Sequence, residues 1–235
     1  MPATLGILIL DTRFPRLAGD IGNPDSFEFP VLYERLSGIG PQQAVREAAG
    51  RADLIDLLAA AAERLVQRGA AGISTSCGFL ALLQGELAAR CSVPVATSSL
   101  LQVPVVQRLL PAGKRVGIVT AEAASLTRAH LEAVGVDPAT PVAGMPPGGA
   151  FAHTFLDNSP DLDHGAVRAE LVESGRKLLA EHADIGAIVL ECTNLPPYAR
   201  ALHEAVKLPV YDVRGFLHWF QAGLRPQKPV GGISL

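Results

Sequence analysis

The strongest constraint on the fold is that the chain contains one pattern twice. The segment GAAGISTSCGFLALLQGELAARCSVPVATSS and the later segment DIGAIVLECTNLPPYARALHEAVKLPVYDVR each run from a short apolar stretch to a cysteine. Each then passes through a helical stretch into a second apolar run opened by proline. The offset between copies is 115 residues at Cys77 and Cys192, and again 115 at Pro94 and Pro209. Upstream, Leu5-Gly6-Ile7-Leu8-Ile9 matches Val116-Gly117-Ile118-Val119, with glycine displaced by 111 residues. Repeats of this length, alternating short apolar runs with long amphipathic stretches, predict two α/β halves built on parallel strands.

The helices are legible in places. Residues 53–68 place Leu54, Leu57, Leu58 and Leu65 on one apolar face and stop at Gly69. Residues 122–134 read as a second helix ended by Gly135. Residues 165–182 read as a third, with Asp163 or His164 near its cap. Residues 196–207 read as a fourth, with prolines in the first turn, where a missing N–H costs nothing. The expected division is 1–98 plus 210–235 for the first half and 99–209 for the second. Residues 12–45 fit neither copy: they read as a long loop with a short strand around 27–33. Residues 144–163 form a similar loop. Long irregular connections in compact domains are usually functional, and parallel sheets bind ligands at the carboxyl ends of their strands.

Composition excludes several classes. Hydrophobic residues make up 49% of the chain and charged residues 18%, which argues for a buried core and against disorder. A net charge of −3 without basic clusters gives no attraction to nucleic acid or to an anionic membrane. Neither a signal peptide nor a membrane span is expected. Three widely spaced cysteines, Cys77, Cys91 and Cys192, read as reduced thiols of a cytoplasmic protein. The six histidines show no metal-ligand spacing. The acidic run 157–163 lacks the glycine and glutamate of a calcium loop and reads as a solvated cap of the next helix. His153 and His164 flank it, near the cleft or on the surface. The GMPPGG run at 144–149 carries prolines where a phosphate cradle needs amides, and no Gly-x-Gly-x-x-Gly follows a strand.

Cys77 and Cys192 each end an apolar run and precede a helical one. The positive end of a helix dipole lowers a thiol's pKa from about 8.5. If a pseudo-twofold axis relates the halves, the thiols flank one cleft. Two such groups suit removal of a proton from one face of a carbon and its return to the other. Ser76, Gly78, Thr193 and Asn194 would supply donors for the developing charge. Against this stands the ordinary role of a strand-end cysteine, which is packing. Its matched position in the repeat weighs for chemistry. Cys91 has no counterpart and reads as a helix-end packing residue.

At these residues the sequence resembles the aspartate/glutamate racemase superfamily, whose members include amino-acid and hydantoin racemases, maleate isomerases and arylmalonate decarboxylases. Ser74-Thr75-Ser76-Cys77-Gly78 resembles its first cysteine motif and Glu191-Cys192-Thr193-Asn194-Leu195-Pro196 its second. The likeness runs from Gly6 to Asp212. It implies two flavodoxin-like halves with the active site between them, no cofactor (metal, pyridoxal phosphate or nucleotide), and a homodimer. It also implies substrate-binding residues at strand ends, which here are Asp11, Asn23, Thr97, Ser98 and Thr120. Racemases of glutamate and aspartate usually place glycine before the second cysteine, where this chain has Glu191. The Cys-Thr-Asn run is closer to the maleate isomerase branch. Glu191 is either a salt-bridged structural residue or a charge that raises the pKa of Cys192.

The leading expectation is a cofactor-independent racemase or epimerase of a small carboxylate substrate, of amino-acid or hydantoin type, with Cys77 and Cys192 as acid and base. With few arginines expected near the site, backbone amides and hydroxyls would hold the carboxylate. The alternatives are a maleate-type cis–trans isomerase with a covalent cysteine adduct, and a non-catalytic small-ligand-binding protein.

Overall fold

A computed structural model describes residues 2–47 and 53–226. The first half forms a parallel sheet of β1 (Leu5–Leu10), β2 (Val31–Leu36), β3 (Gly72–Thr75) and β4 (Val95–Ala96), in the order β2-β1-β3-β4. The second repeats it with β5 (Arg115–Thr120), β6 (Val142–Gly144), β7 (Ile185–Leu190) and β8 (Val210–Tyr211), in the order β6-β5-β7-β8. The two sheets therefore share one topology, as the repeat demands. β8 pairs with β7, so Val210 and Tyr211 belong to the second sheet.

Parallel strands must be covered on both faces, and their apolar runs reflect it. Helix α1 (Leu54–Gln67) turns Leu54, Ile55, Leu58, Ala61, Ala62 and Leu65 inward at helical spacing, and Gly69 follows at φ +97°. The other face of the first sheet is covered by the last helix, α7 (Val213–Leu224), whose Val213, Phe216 and Leu217 pack on Leu5, Ile7 and Phe27. Between these lie α2 (Gln84–Arg90), α3 (Val103–Leu109), α4 (Arg128–Ala133), α5 (His164–Glu181) and α6 (Ala199–Val206). The repeated glycines do the same work in both halves. A Cβ on Gly6 would come within 2.9 Å of Ile73 Cδ1, and one on Gly117 within 2.8 Å of Ile185 Cδ1. Close packing on the central strand requires both.

Four expectations shift in detail. The helix expected at 122–134 is split. A 3-10 turn (Ala123–Ser125) ends first, and Thr127, in extended conformation, then caps α4 in a reciprocal pair with His130. The prolines at 196–197 build a 3-10 turn (Pro196–Tyr198) before α6 begins. The strand expected near 27–33 is β2, displaced to Val31–Leu36. The loop at 144–163 contains a π-helical turn (Ala152–Leu156), and its acidic run ends with Asp163 accepting from the Ala166 N–H at the start of α5. His153 and His164 are exposed. Cys91 is partly buried at the end of α2. Among the described residues, no helix is long and apolar enough to cross a membrane.

Candidate active site

Both repeated cysteines line one small cavity between the halves, at the carboxyl ends of β1, β3, β5 and β7. Cys77 follows β3 and Cys192 follows β7, and both are buried. In each half the residue before the cysteine ties back to the central strand. The Ser76 N–H donates to the Leu8 carbonyl at 2.9 Å, and the Glu191 N–H to Val119 at 2.8 Å. The two halves are then sewn together around the thiols. Thr193 Oγ1 donates to the Ser76 carbonyl at 2.7 Å, and, within the second half, Ser99 Oγ donates to the Leu190 carbonyl at 2.6 Å. Asn194 Nδ2 donates to Asp20 Oδ2 at 2.6 Å, while its Oδ1 accepts weakly from Cys192 Sγ at 3.7 Å.

The strand-end residues expected in the site divide into two groups. Ser76, Gly78, Thr193 and Asn194 line the cavity beside the thiols. Asp11, Asn23, Thr97, Ser98 and Thr120 do not. Asp11 points outward, pairs with Arg35 and accepts from the Gly38 N–H at 3.0 Å; these contacts, the amide first, hold its carboxyl below the usual range. Asn23 caps the 3-10 turn Pro24–Ser26 by accepting from the Asp25 N–H. Thr97 Oγ1 donates to Gln84, and Ser98 caps the turn Ser99–Gln102. Thr120 stands one layer back, donating to Glu191 Oε2 at 2.7 Å.

The long loops supply the rest of the wall. From the first come Thr12, Phe14 and Arg16; from the second, Phe151, Phe155 and Leu156. The Phe155 ring lies 4.9 Å from both Phe14 and Phe151. Glu170 on α5 fixes this arrangement by accepting from the N–H groups of Ala150 (2.6 Å) and Phe151 (2.9 Å). Arg16 is the one arginine of the cavity wall among the described residues. Its guanidinium sits 4.4 Å over the Phe14 ring, donates to Asp20 at 2.8 Å and to Thr12 at 2.9 Å, and is largely buried. No periodicity marks Arg16, Asp20 or the phenylalanines in the sequence. Their only signal was membership of two long irregular loops.

Thiol acidity also departs from expectation. Burial, reinforced by the nearby Glu191 carboxylate, pushes Cys77 up to about 12, against the opposing amides of Phe79 and Leu80. Cys192 is pushed up further, by burial first and then by Glu191, with the Asn194 amide opposing. The helices expected to lower these values are only 3-10 turns, Gly78–Leu83 and Pro196–Tyr198. Their dipoles are short, and desolvation wins. Glu191 forms no ion pair among the described residues, so it is not the salt-bridged residue entertained from sequence. It is fully buried, and burial raises it to about 7 against the hydrogen bonds of Thr120 and the Ala121 amide.

The chain that carries this cavity resembles known proteins over most of its length. A dimethylsulfoniopropionate lyase from Durusdinium sp. clade D is 31% identical over 235 residues, covering 92% of this chain and 75% of that protein. The chain belongs to the family of this lyase. Dimethylsulfoniopropionate lyase 7 of Emiliania huxleyi (strain CCMP1516) is also 31% identical, covering 97% of this chain and 69% of its own length. Lyase 6 of the same strain is matched over 56% of its length. No family model matches the chain. Among solved structures, unliganded arylmalonate decarboxylase superposes with a TM-score of 0.59 at 17% identity, covering 96% of each chain. Picrophilus torridus aspartate racemase superposes with a TM-score of 0.56 at 13% identity, covering 94% of this chain and 92% of the other. The fold is that of the Asp/Glu racemase superfamily, as the cysteine motifs led one to expect. The sequence relatives bear the name of lyases, not of racemases.

Proposed function

We propose that the protein is a cofactor-independent lyase acting on dimethylsulfoniopropionate or a close sulfonio-carboxylate, with Cys77 and Cys192 as its acid–base groups. The observation that carries this reading is the pair of repeat-related thiols lining one cavity in a chain 31% identical to a dimethylsulfoniopropionate lyase. One thiolate takes the proton from the carbon next to the carboxylate. The electrons of that C–H bond form the double bond as the C–S bond breaks. Dimethyl sulfide leaves with the C–S electron pair, acrylate remains, and the thiolate has become a thiol. Phe151 and Phe155 suit the sulfonium end, because aromatic faces attract a desolvated cation. Arg16, the Asn194 side chain and the amides after Cys77 stand where the carboxylate would lie.

A second reading, racemisation or epimerisation of an amino acid or hydantoin, is favoured by the origin of the thiols at equivalent positions of two repeats. Such an arrangement offers a proton-transfer group to each face of a carbon. Proton NMR in deuterium oxide separates the readings. Dimethylsulfoniopropionate, single-enantiomer amino acids, hydantoins and maleate are each incubated with the protein. Acrylate and dimethyl sulfide form only from the first if the lyase reading holds. α-Deuteration with loss of optical purity in an amino acid or hydantoin, and none of these products, replaces it with the racemase. Fumarate from maleate moves the assignment to a cis–trans isomerase.

A further inference from the structure

Asp20 is a buried acid that reaches the second cysteine motif from the other half of the molecule. It is 2% exposed, and the first long loop is built around it. Its Oδ1 accepts from Arg16 at 2.8 Å and from the Gly22 N–H at 2.7 Å, and its main-chain carbonyl accepts from the Ser26 hydroxyl at 2.7 Å. Gly22 must be glycine here, because a Cβ would come within 2.8 Å of Arg16 Nε. The free oxygen, Oδ2, accepts from Asn194 Nδ2 at 2.6 Å. An amide has one donor end and one acceptor end, whereas a carboxylate paired with arginine only accepts. Asn194 must therefore turn Nδ2 to Asp20, which aims its Oδ1 at Cys192 Sγ, 3.7 Å away, where it accepts the S–H. Cys77 is served differently: the backbone N–H groups of Phe79 and Leu80 both reach its sulfur, and donors suit a thiolate. Glu191 bears on both thiols in the same sense and does not separate them.

We propose that Asp20 is a positioning residue that makes the thiol pair unequal: by pinning the Asn194 amide it keeps the proton on Cys192 and leaves Cys77 to become the thiolate. This deepens the reading of the thiols as acid–base groups and rests on it. Cys77 is then the base that takes the proton from the carbon next to the carboxylate, and Cys192 stays a thiol during that step. Asp20 touches neither sulfur and acts through Asn194. The titratable and charged groups around Cys192 are Cys77, Glu191 and Asp20; those around Asp20 are Arg16, Tyr33 and Tyr198. None of these but Asp20 is hydrogen-bonded to the Asn194 side chain among the described residues.

Asp20→Asn reverses the arrangement with little change of shape. Its Oδ1 still accepts from Arg16 and Gly22, and its Nδ2 takes the place of Oδ2. Two amide donors cannot face each other, so Asn194 turns over and brings Nδ2 to Cys192. The sulfur then meets a donor instead of an acceptor, which favours its thiolate. The rate of iodoacetamide alkylation follows the thiolate fraction, and peptide mass spectrometry reads it at Cys192 and Cys77 separately. Access to each sulfur cancels when the Cys192-to-Cys77 ratio is compared with that of the wild type. Asp20→Asn raises this ratio about tenfold. Asn194→Ala, which removes the acceptor, raises it about threefold and serves if Asp20→Asn does not fold. Adding Asp20→Asn to Asn194→Ala changes the ratio by less than about twofold, because no amide is left to turn. An unchanged ratio in either single variant overturns the proposal. So does an equal rise from Asp20→Asn in the Asn194→Ala background, which would make Asp20 only a distant charge. The measurement needs no substrate, so its failure is separable from that of the lyase reading, which stands or falls on turnover.

Discussion

The two cysteine corners use the same backbone plan with one chemical difference. In the first half, Ser76 Oγ accepts the Leu10 N–H at 2.9 Å. In the second, the Glu191 carboxylate accepts the N–H of Ala121, the position equivalent to Leu10. Each side chain before a cysteine thus satisfies the same orphan amide at the end of the central strand. The next position differs too. Thr193 can lay its hydroxyl on the Ser76 carbonyl because the serine is short, whereas Gly78 must lack a side chain because Glu191 fills the equivalent space. A neutral corner and an ionisable corner on one scaffold make the cavity asymmetric in charge while its walls stay symmetric in fold.

The most damaging way to break this comparison is to add the missing side chain. Gly78→Ala drives a methyl group into Glu191 and costs about 1–3 kcal/mol of stability by overpacking, with a larger than tenfold fall in kcat/KM. The urea midpoint and steady-state turnover report both. Next comes the ionisable corner itself. Because the folded state holds the Glu191 proton more tightly than the unfolded chain does, its contribution is complete below the ordinary carboxyl pKa and is lost as pH rises through about 7. Wild-type stability therefore declines from pH 5 to 7.5 relative to Glu191→Gln in urea titrations run in parallel. At the neutral corner, Ser76→Ala leaves the buried Leu10 N–H without its acceptor and costs roughly 1 kcal/mol, with no change in that pH dependence. The smallest effect belongs to Asp11→Ala. Its side chain pairs with Arg35 away from the cavity, so kcat/KM stays within about twofold, as expected of an exposed ion pair.

What the sequence disclosed and what it hid follow from the same repeat. The two sheets, Gly6 and Gly117, and the pairing of Cys77 with Cys192 were legible because each is written twice. Ser76, Thr193 and Asn194 came with the cysteines they flank. Asp11 was misleading because a strand end specifies a place but not the direction of a side chain. Phe14, Arg16 and Asp20 were invisible because they lie in a segment with no counterpart and no period. A raised Cys192 was foreseen from Glu191, but the dominance of burial over the helix dipole was missed for a different reason. Helix dipoles can be inferred from adjacent residues, but burial depends on packing against the opposite half.

The account turns on both thiols being required. Dimethyl sulfide release from dimethylsulfoniopropionate, measured by gas chromatography for Cys77→Ser and Cys192→Ser after each is shown to be folded by circular dichroism, tests this most directly. The expected result is a fall in kcat of about 100-fold or more in each variant, the scale of a lost acid–base group. Wild-type turnover in either variant would contradict it.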